Sequence, residues 1–155
     1  MDNRILIQLN SGDNSAISGN ASQFFNQLSS SIILENARRY EVAIVDAYFP
    51  IRQITKSVYI KSNLINGSRV GSQMTSTLLW IPFSLFDQVT IGHNFHYVPL
   101  QLKWYPLSVH NISKIDISFT DSTGQFIPQL AGDYSTVTIA IREISVWNRK
   151  KIKNY

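Results

Sequence analysis

Hydrophobic and polar positions alternate along much of this chain, most clearly from Ile112 to Arg142. Ile115, Ile117 and Phe119 fall on one side of an extended backbone, and Asp116, Ser118 and Thr120 on the other. The same period returns in Val137, Ile139 and Ile141 against Thr138, Ala140 and Arg142. Successive side chains of a β-strand point to opposite faces, so each run predicts a strand with one apolar and one polar face. Between them Asp121-Ser122-Thr123-Gly124 is a turn cluster, Pro128 cannot donate to a ladder, and Gly132-Asp133 marks a second turn. The pattern predicts two strands joined by an ordered connection.

Tyr40 to Phe49 is the longest strand signal elsewhere. Tyr40, Val42 and Ile44 take one face, with Ala43, Val45 and Ala47 on the other, which predicts a strand covered on both sides and ended by Pro50. Asp46 interrupts that run and is expected to be salt-bridged or to accept a backbone hydrogen bond. Arg4 to Leu9 predicts a weak strand, and the Ser-, Asn- and Gly-rich residues 10–22 a loop or arm. Phe24, Phe25 and Leu28 have spacing that would suit a helical turn, but the serines at 29–31 and the β-branched Ile32 and Ile33 favour strand. Ser57–Lys61, Thr75–Pro82 and His96–Tyr105 complete the set, the last begun or interrupted by Pro99 and closed by Pro106. Trp80, amid Leu78, Leu79 and Ile81, is expected in the core. Glu143 to Trp147 is a candidate extension of the final strand.

About eight short strands with turns between them, and no helical pattern, predict an all-β fold, a sandwich or jelly roll. The expected organisation is an N-terminal strand and mobile arm over residues 1–22, the sandwich over 23–147, and a basic tail over 148–155.

Charge changes this picture only at one end. The net charge is +4, and Arg149, Lys150, Lys151 and Lys153 account for four of the 14 basic residues, leaving a body of ten basic against ten acidic. Such a tail can contact nucleic acid, an acidic partner or nothing at all, the solvated tail being the commoner case, while Trp147 beside it suits an exposed or interface position. The chain has no cysteine, which excludes disulfides, thiolate metal sites and cysteine nucleophiles. It carries no apolar run long enough for a membrane span, no recognisable targeting signal, no Gly-x-Ser-x-Gly elbow and no phosphate-binding loop. His93 and His96 lack the helical spacing of a zinc pair, and His110 stands alone, so no metal, cofactor or catalytic residue is expected. Asn20-Ala21-Ser22, Asn66-Gly67-Ser68 and Asn111-Ile112-Ser113 match the glycosylation sequon, as chance allows in an Asn- and Ser-rich chain. Trp80, Trp104, Tyr105 and Trp147 leave open an alternative, a carbohydrate-binding sandwich with an aromatic platform.

Several of these runs, in order, resemble one family. Tyr40 to Pro50 (YEVAIVDAYFP) is similar to the "WEVALxExxYP" strand of capsid-associated proteins of Polinton (Maverick) elements and related double-stranded DNA viruses. Phe24 to Leu34 is similar to that family's apolar lead-in, Ser57 to Lys61 to its "IYVYxD" strand, and Gly71 to Pro82 to its "VGD…LLRxVP" segment. Ile115 through Asp121, Gly124, Ile127-Pro128, Gly132 and Val137–Arg142 resembles the block "IxIxIxDxxGxxIPFxxGxVxVxLHFR". The chain departs from the pattern at Tyr40, where Trp is usual, at Asp46, where Glu is usual, and at Ile139-Ala140-Ile141, where the family has "LHF". The resemblance, over roughly residues 23–143, implies a single jelly roll of eight antiparallel strands. It also implies a structural role without enzymatic activity, as a penton or other minor capsid component. Its partners would be further copies of itself, as a homopentamer, and a major capsid protein, with the tail touching the packaged genome.

Overall fold

The computed structural model describes residues 3–12, 18–19, 21–53, 57–66, 68–70, 73–82, 92–130 and 132–144. Among these residues there is no helix, and every strand pairing is antiparallel. The strands are β1 (Arg4–Asn10), β2 (Ser18–Gly19), β3 (Gln23–Ile33), β4 (Tyr40–Pro50), β5 (Ser57–Ser62) and β6 (Ser68–Val70). They continue with β7 (Gln73–Thr75), β8 (Thr77–Pro82), β9 (Asn94–Tyr97), β10 (Tyr105–Pro106), β11 (Asn111–Thr120) and β12 (Thr136–Glu143). Sheet A runs β1-β12-β4, with β9 and β10 end to end along the far edge of β4. Sheet B runs β2-β3-β11-β5-β8, and β6 and β7 form a separate hairpin.

The two sheets close on one apolar core, as the period of two requires. Val42, Ile44, Phe49, Val137, Ile139 and Ile141 enter it from sheet A; Phe24, Val58, Ile60, Ile81, Ile115, Ile117 and Phe119 enter from sheet B. Phe49 and Phe119 meet across the interface with ring centroids 5.0 Å apart. The fold is therefore a β-sandwich, and the two alternating runs that dominate the sequence, β11 and β12, belong to different sheets.

Their connection is ordered by polar groups at fixed points. Asp121 Oδ1 accepts hydrogen bonds from the Thr123 hydroxyl and from the amides of Thr123 and Gln125, and Gly124 completes the turn at φ = +84°. Gly132 takes φ = +85°, a conformation costly for any residue with a Cβ. The Asp133 carboxylate then receives the Arg52 guanidinium on both oxygens and the Leu130 amide at 2.7 Å. Buried hydroxyls tie this connection to the start of β3: Ser135 Oγ donates to the Ala21 carbonyl at 2.5 Å, and Ser22 Oγ to that of Ile127.

Four expectations change. Trp80 is 49% exposed. Leu78 is an extra residue in the β5–β8 register, which passes from Ile60 opposite Leu79 to Lys61 opposite Thr77. Leu79 and Ile81 thus share the core face with Ile60 and Val58, and Trp80 points outward beside Tyr59. In β4, a similar irregularity skips Val45, so Ala47 and Phe49 face the same core as Val42 and Ile44. His96–Tyr105 is not one strand, because only β9 and β10 pair with β4 and the chain between them, with Pro99, runs free of the ladder. Lastly, β1 is a full member of sheet A, in register with β12 from Arg4–Arg142 to Asn10–Thr136, and Ala21 and Ser22 are buried.

Candidate interaction surface

With Ile115, Ile117 and Phe119 turned inward, β11 presents Lys114, Asp116 and Ser118 on the outer face of sheet B. The register sets Phe25 beside Asp116, Gln27 beside Lys114, and Gln23 and Lys61 on either side of Ser118. β5 ends where Ser62 meets Ile117, which leaves the next backbone groups of β11 without a strand on that side. Asn63 fills the position. Its Oδ1 accepts from the Asp116 amide at 2.9 Å and its Nδ2 donates to the Lys114 carbonyl at 3.2 Å, so a side-chain amide stands in for a peptide group.

The result is an open groove of about 750 Å³ between this face and the loop leaving β5. Its charged groups are Lys61, Lys114 and Asp116. Lys114 Nζ lies 4.4 Å from the centroid of the Phe25 ring, within cation–π range, and 3.6 Å from Asp116 Oδ1, too far for a good hydrogen bond. A second depression of about 250 Å³ adjoins it, bounded by Tyr59, Lys61, Thr77 and the Asp121–Gly124 turn. The Asp121 carboxyl is held below its ordinary range chiefly by the Thr123 hydroxyl, helped by the Thr123 and Gln125 amides, and is committed to the turn. Two ammonium groups, one carboxylate, carboxamides and hydroxyls suit hydrogen bonding to a polar ligand or partner surface.

The outer face of sheet A differs. Ala43 and Ala140 point outward yet are fully buried. The β10 register, Tyr105 opposite Val42, brings Trp104 level with Ala43. The Arg142 guanidinium stacks 3.9 Å from the Trp104 centroid, with Arg4 at 5.4 Å, and Arg142 also donates from Nε and Nη2 to Glu41 Oε2. The segment before β10 thus covers this face. Further along, Tyr48 packs at 5.4 Å from Tyr134 and edge-on to His96, and its hydroxyl accepts from Asn94 Nδ2 at 2.6 Å. The neighbouring Tyr48 phenol raises the Tyr134 phenol above its ordinary range.

The remaining sequence candidates scatter. Asp46 is partly exposed, with His96 Nε2 3.8 Å from its Oδ2, so its neighbour is an imidazole and not a lysine or arginine. His93 lies in the turn before β9, and His110 makes an edge contact with Tyr40. Among the described residues no group of three or more His, Asp or Glu is placed to hold a metal ion, and no helix is long and apolar enough to cross a membrane. Trp147, Arg149, Lys150, Lys151 and Lys153 lie outside the described residues. Of the aromatic platform, Trp80 is open and Trp104 is engaged by arginine. The polar side of β11 was legible from alternation, but its pairing with Phe25 and Lys61, far away in sequence, was not. No family model matches the chain, and no curated protein matches it as a relative.

Proposed function

We propose that this chain is a structural subunit of an icosahedral double-stranded DNA virus capsid, a single jelly-roll penton or other minor capsid component. The observation that carries the reading is the strand order. Apart from the short β2 and the β6–β7 hairpin, the sheets run β1-β12-β4-β9/β10 and β3-β11-β5-β8. The first and last major strands are neighbours, and every step between major strands except β5 to β8 and β9 to β10 changes sheet. Two antiparallel sheets woven in this way are what two nested Greek keys produce.

The motif resemblance supports the same reading, because its segments coincide with structural elements. The "WEVAL"-like run is β4, the "IYVYxD"-like run is β5, and the last block spans β11, the Asp121 and Gly132 turns, and β12. Capsid domains exist to contact copies, and apolar side chains project from two separate connections: Val98 and Leu100 before β10, and Phe126 and Leu130 after β11. A five-fold ring needs two different surfaces on each subunit. The expected species is a homopentamer that sits beside a major capsid protein, with the basic tail toward the genome. Native mass spectrometry of the isolated chain and of purified particles tests this. A strict monomer absent from particles overturns it.

A carbohydrate-binding sandwich is the second reading, favoured by the exposed Trp80 beside Tyr59 on the outer face of sheet B. It requires glycan binding that disappears in a folded Trp80→Ala variant and survives Trp104→Ala.

A further inference from the structure

The edge of β1 away from β12 has a property that goes beyond the capsid reading and does not depend on it. β1 pairs with β12 on one side, and no described strand pairs with it on the other. Which backbone groups face the open side follows from two observations. The Ser11 amide bonds to the Ser135 carbonyl, continuing the ladder toward β12, whereas the amide and carbonyl of Asn10 are both taken by the side chain of Asn26 on β3. Hydrogen-bonding direction alternates residue by residue in an antiparallel strand, so Gln8 and Leu6 also direct their amides and carbonyls to the open side. Asn26 closes that edge at Asn10. Below Asn10 that side runs along Arg4 to Gln8, whose centre is Leu6.

This segment, Arg-Ile-Leu-Ile-Gln, is complementary to itself when reversed. About a two-fold axis at Leu6, Leu6 meets Leu6 of a second copy, Ile5 meets Ile7, and Gln8 meets Arg4, with no like charges opposed. Leu6 is 64% exposed and Ile5 39% exposed, so the pairing covers apolar surface as well as backbone. Natural edges are guarded against such addition by prolines, lysines, bulges or brevity. The opposite edge of sheet A is guarded in this way, split into the short β9 and β10 with Pro99 and Pro106. β1 is seven residues long and has no proline and no break in its register with β12.

We propose that β1 is a self-recognition edge through which two copies of this chain join antiparallel about Leu6, making sheet A continuous across the pair. The contact is isologous, the same surface used twice, and so is distinct from the two-surface contact of a five-fold ring.

The test uses the full chain, which has no native cysteine. In the proposed register, position 6 faces itself at a Cα separation of about 5.5 Å, within disulfide range, whereas position 8 lies about 14 Å from its mate. Under mild oxidation Leu6→Cys is expected to give a covalent dimer and Gln8→Cys none. Sedimentation equilibrium of the unaltered chain is expected to reveal a concentration-dependent dimer. Gln8→Lys, which sets two like charges opposite Arg4 of the other copy, weakens it roughly tenfold. Adding Arg4→Glu restores it. A chain that stays unpaired at every concentration, cross-linking as efficient at position 8 as at position 6, or a folded Gln8→Lys variant with unchanged association would each overturn the proposal. A chain that pairs through Leu6 but never enters particles sinks the capsid reading and leaves this one intact. A pentamer that ignores all four substitutions does the reverse.

Discussion

The two outer faces of the sandwich are built from the same alternating strands and end in opposite states. On sheet A the outward positions at the centre are Ala43 and Ala140, and the chain returns to cover them with Trp104 under Arg142. On sheet B the corresponding positions are Lys114, Asp116, Ser118 and Lys61, and the face stays open as a groove. Small outward residues make room for a cover from the same chain. Long polar ones hold solvent or await a partner. The polar half of an alternating pattern therefore decides what each sheet does with its outer side.

The largest contrast is expected at the two tryptophans. Trp104→Ala uncovers Ala43 and Ala140 and should cost about 2–4 kcal/mol. Trp80→Ala, on the open face, should stay within about 0.5 kcal/mol. Urea denaturation of both variants checks this, and equal losses would erase the distinction between the faces. Next in size, Ala140→Leu forces bulk under the cover and should cost about 1–3 kcal/mol. Ser118→Leu, which projects into the groove, should remain within about 0.5 kcal/mol. A smaller difference separates the cations. Arg142→Lys loses the planar stack on Trp104 and the paired donors to Glu41, and should lower the melting temperature by roughly 3 °C. Lys114→Arg keeps both its ring contact and its charge and should leave the melting temperature unchanged.

The last difference is one of pH, along the connection that joins the sheets. The Asp133 carboxyl is held below its ordinary range by the Arg52 guanidinium first and the Leu130 amide second, and Asp121 by Thr123. A carboxyl depressed in the folded state contributes stability that is full above its unfolded value, about 3.9, and is lost as pH falls through the folded value. Thermal melts should therefore lose stability below about pH 4. Asp133→Asn should flatten that acid limb while lowering the melting temperature at neutral pH. A limb of unchanged steepness would remove Asp133 from the account.

Much of the sandwich was legible in the sequence because burial follows strict alternation where the register is regular. Ile115, Ile117 and Phe119, and Val137, Ile139 and Ile141, are buried as their period requires. The misreadings fall where an extra residue enters a strand. At Leu78 the run Leu78-Leu79-Trp80-Ile81 looks uniformly apolar, and only the pairing with β5 reveals that Trp80 is out of phase with the core. At Val45 the skipped position turns Ala47, which the local pattern assigned to the other side, inward with Phe49. The groove was hidden for a different reason. Its residues come from β3, β5 and β11, and nothing local to Phe25 or Lys61 announces that they share a face with Asp116.

The pairing of β1 with β12 carries a consequence in time. Residues 4–10 wait for residues 136–142, so the sheet cannot close until nearly the whole of this stretch has been made. At the usual pace of synthesis that interval is on the order of ten seconds, and contacts so distant in sequence are also slow to find one another. Throughout it both sides of β1 lack a strand, and nascent chains on one message carry identical copies of Arg4–Gln8 close together. The side of β1 proposed for self-pairing is thus exposed before β12 exists, so contact between copies would precede closure of sheet A.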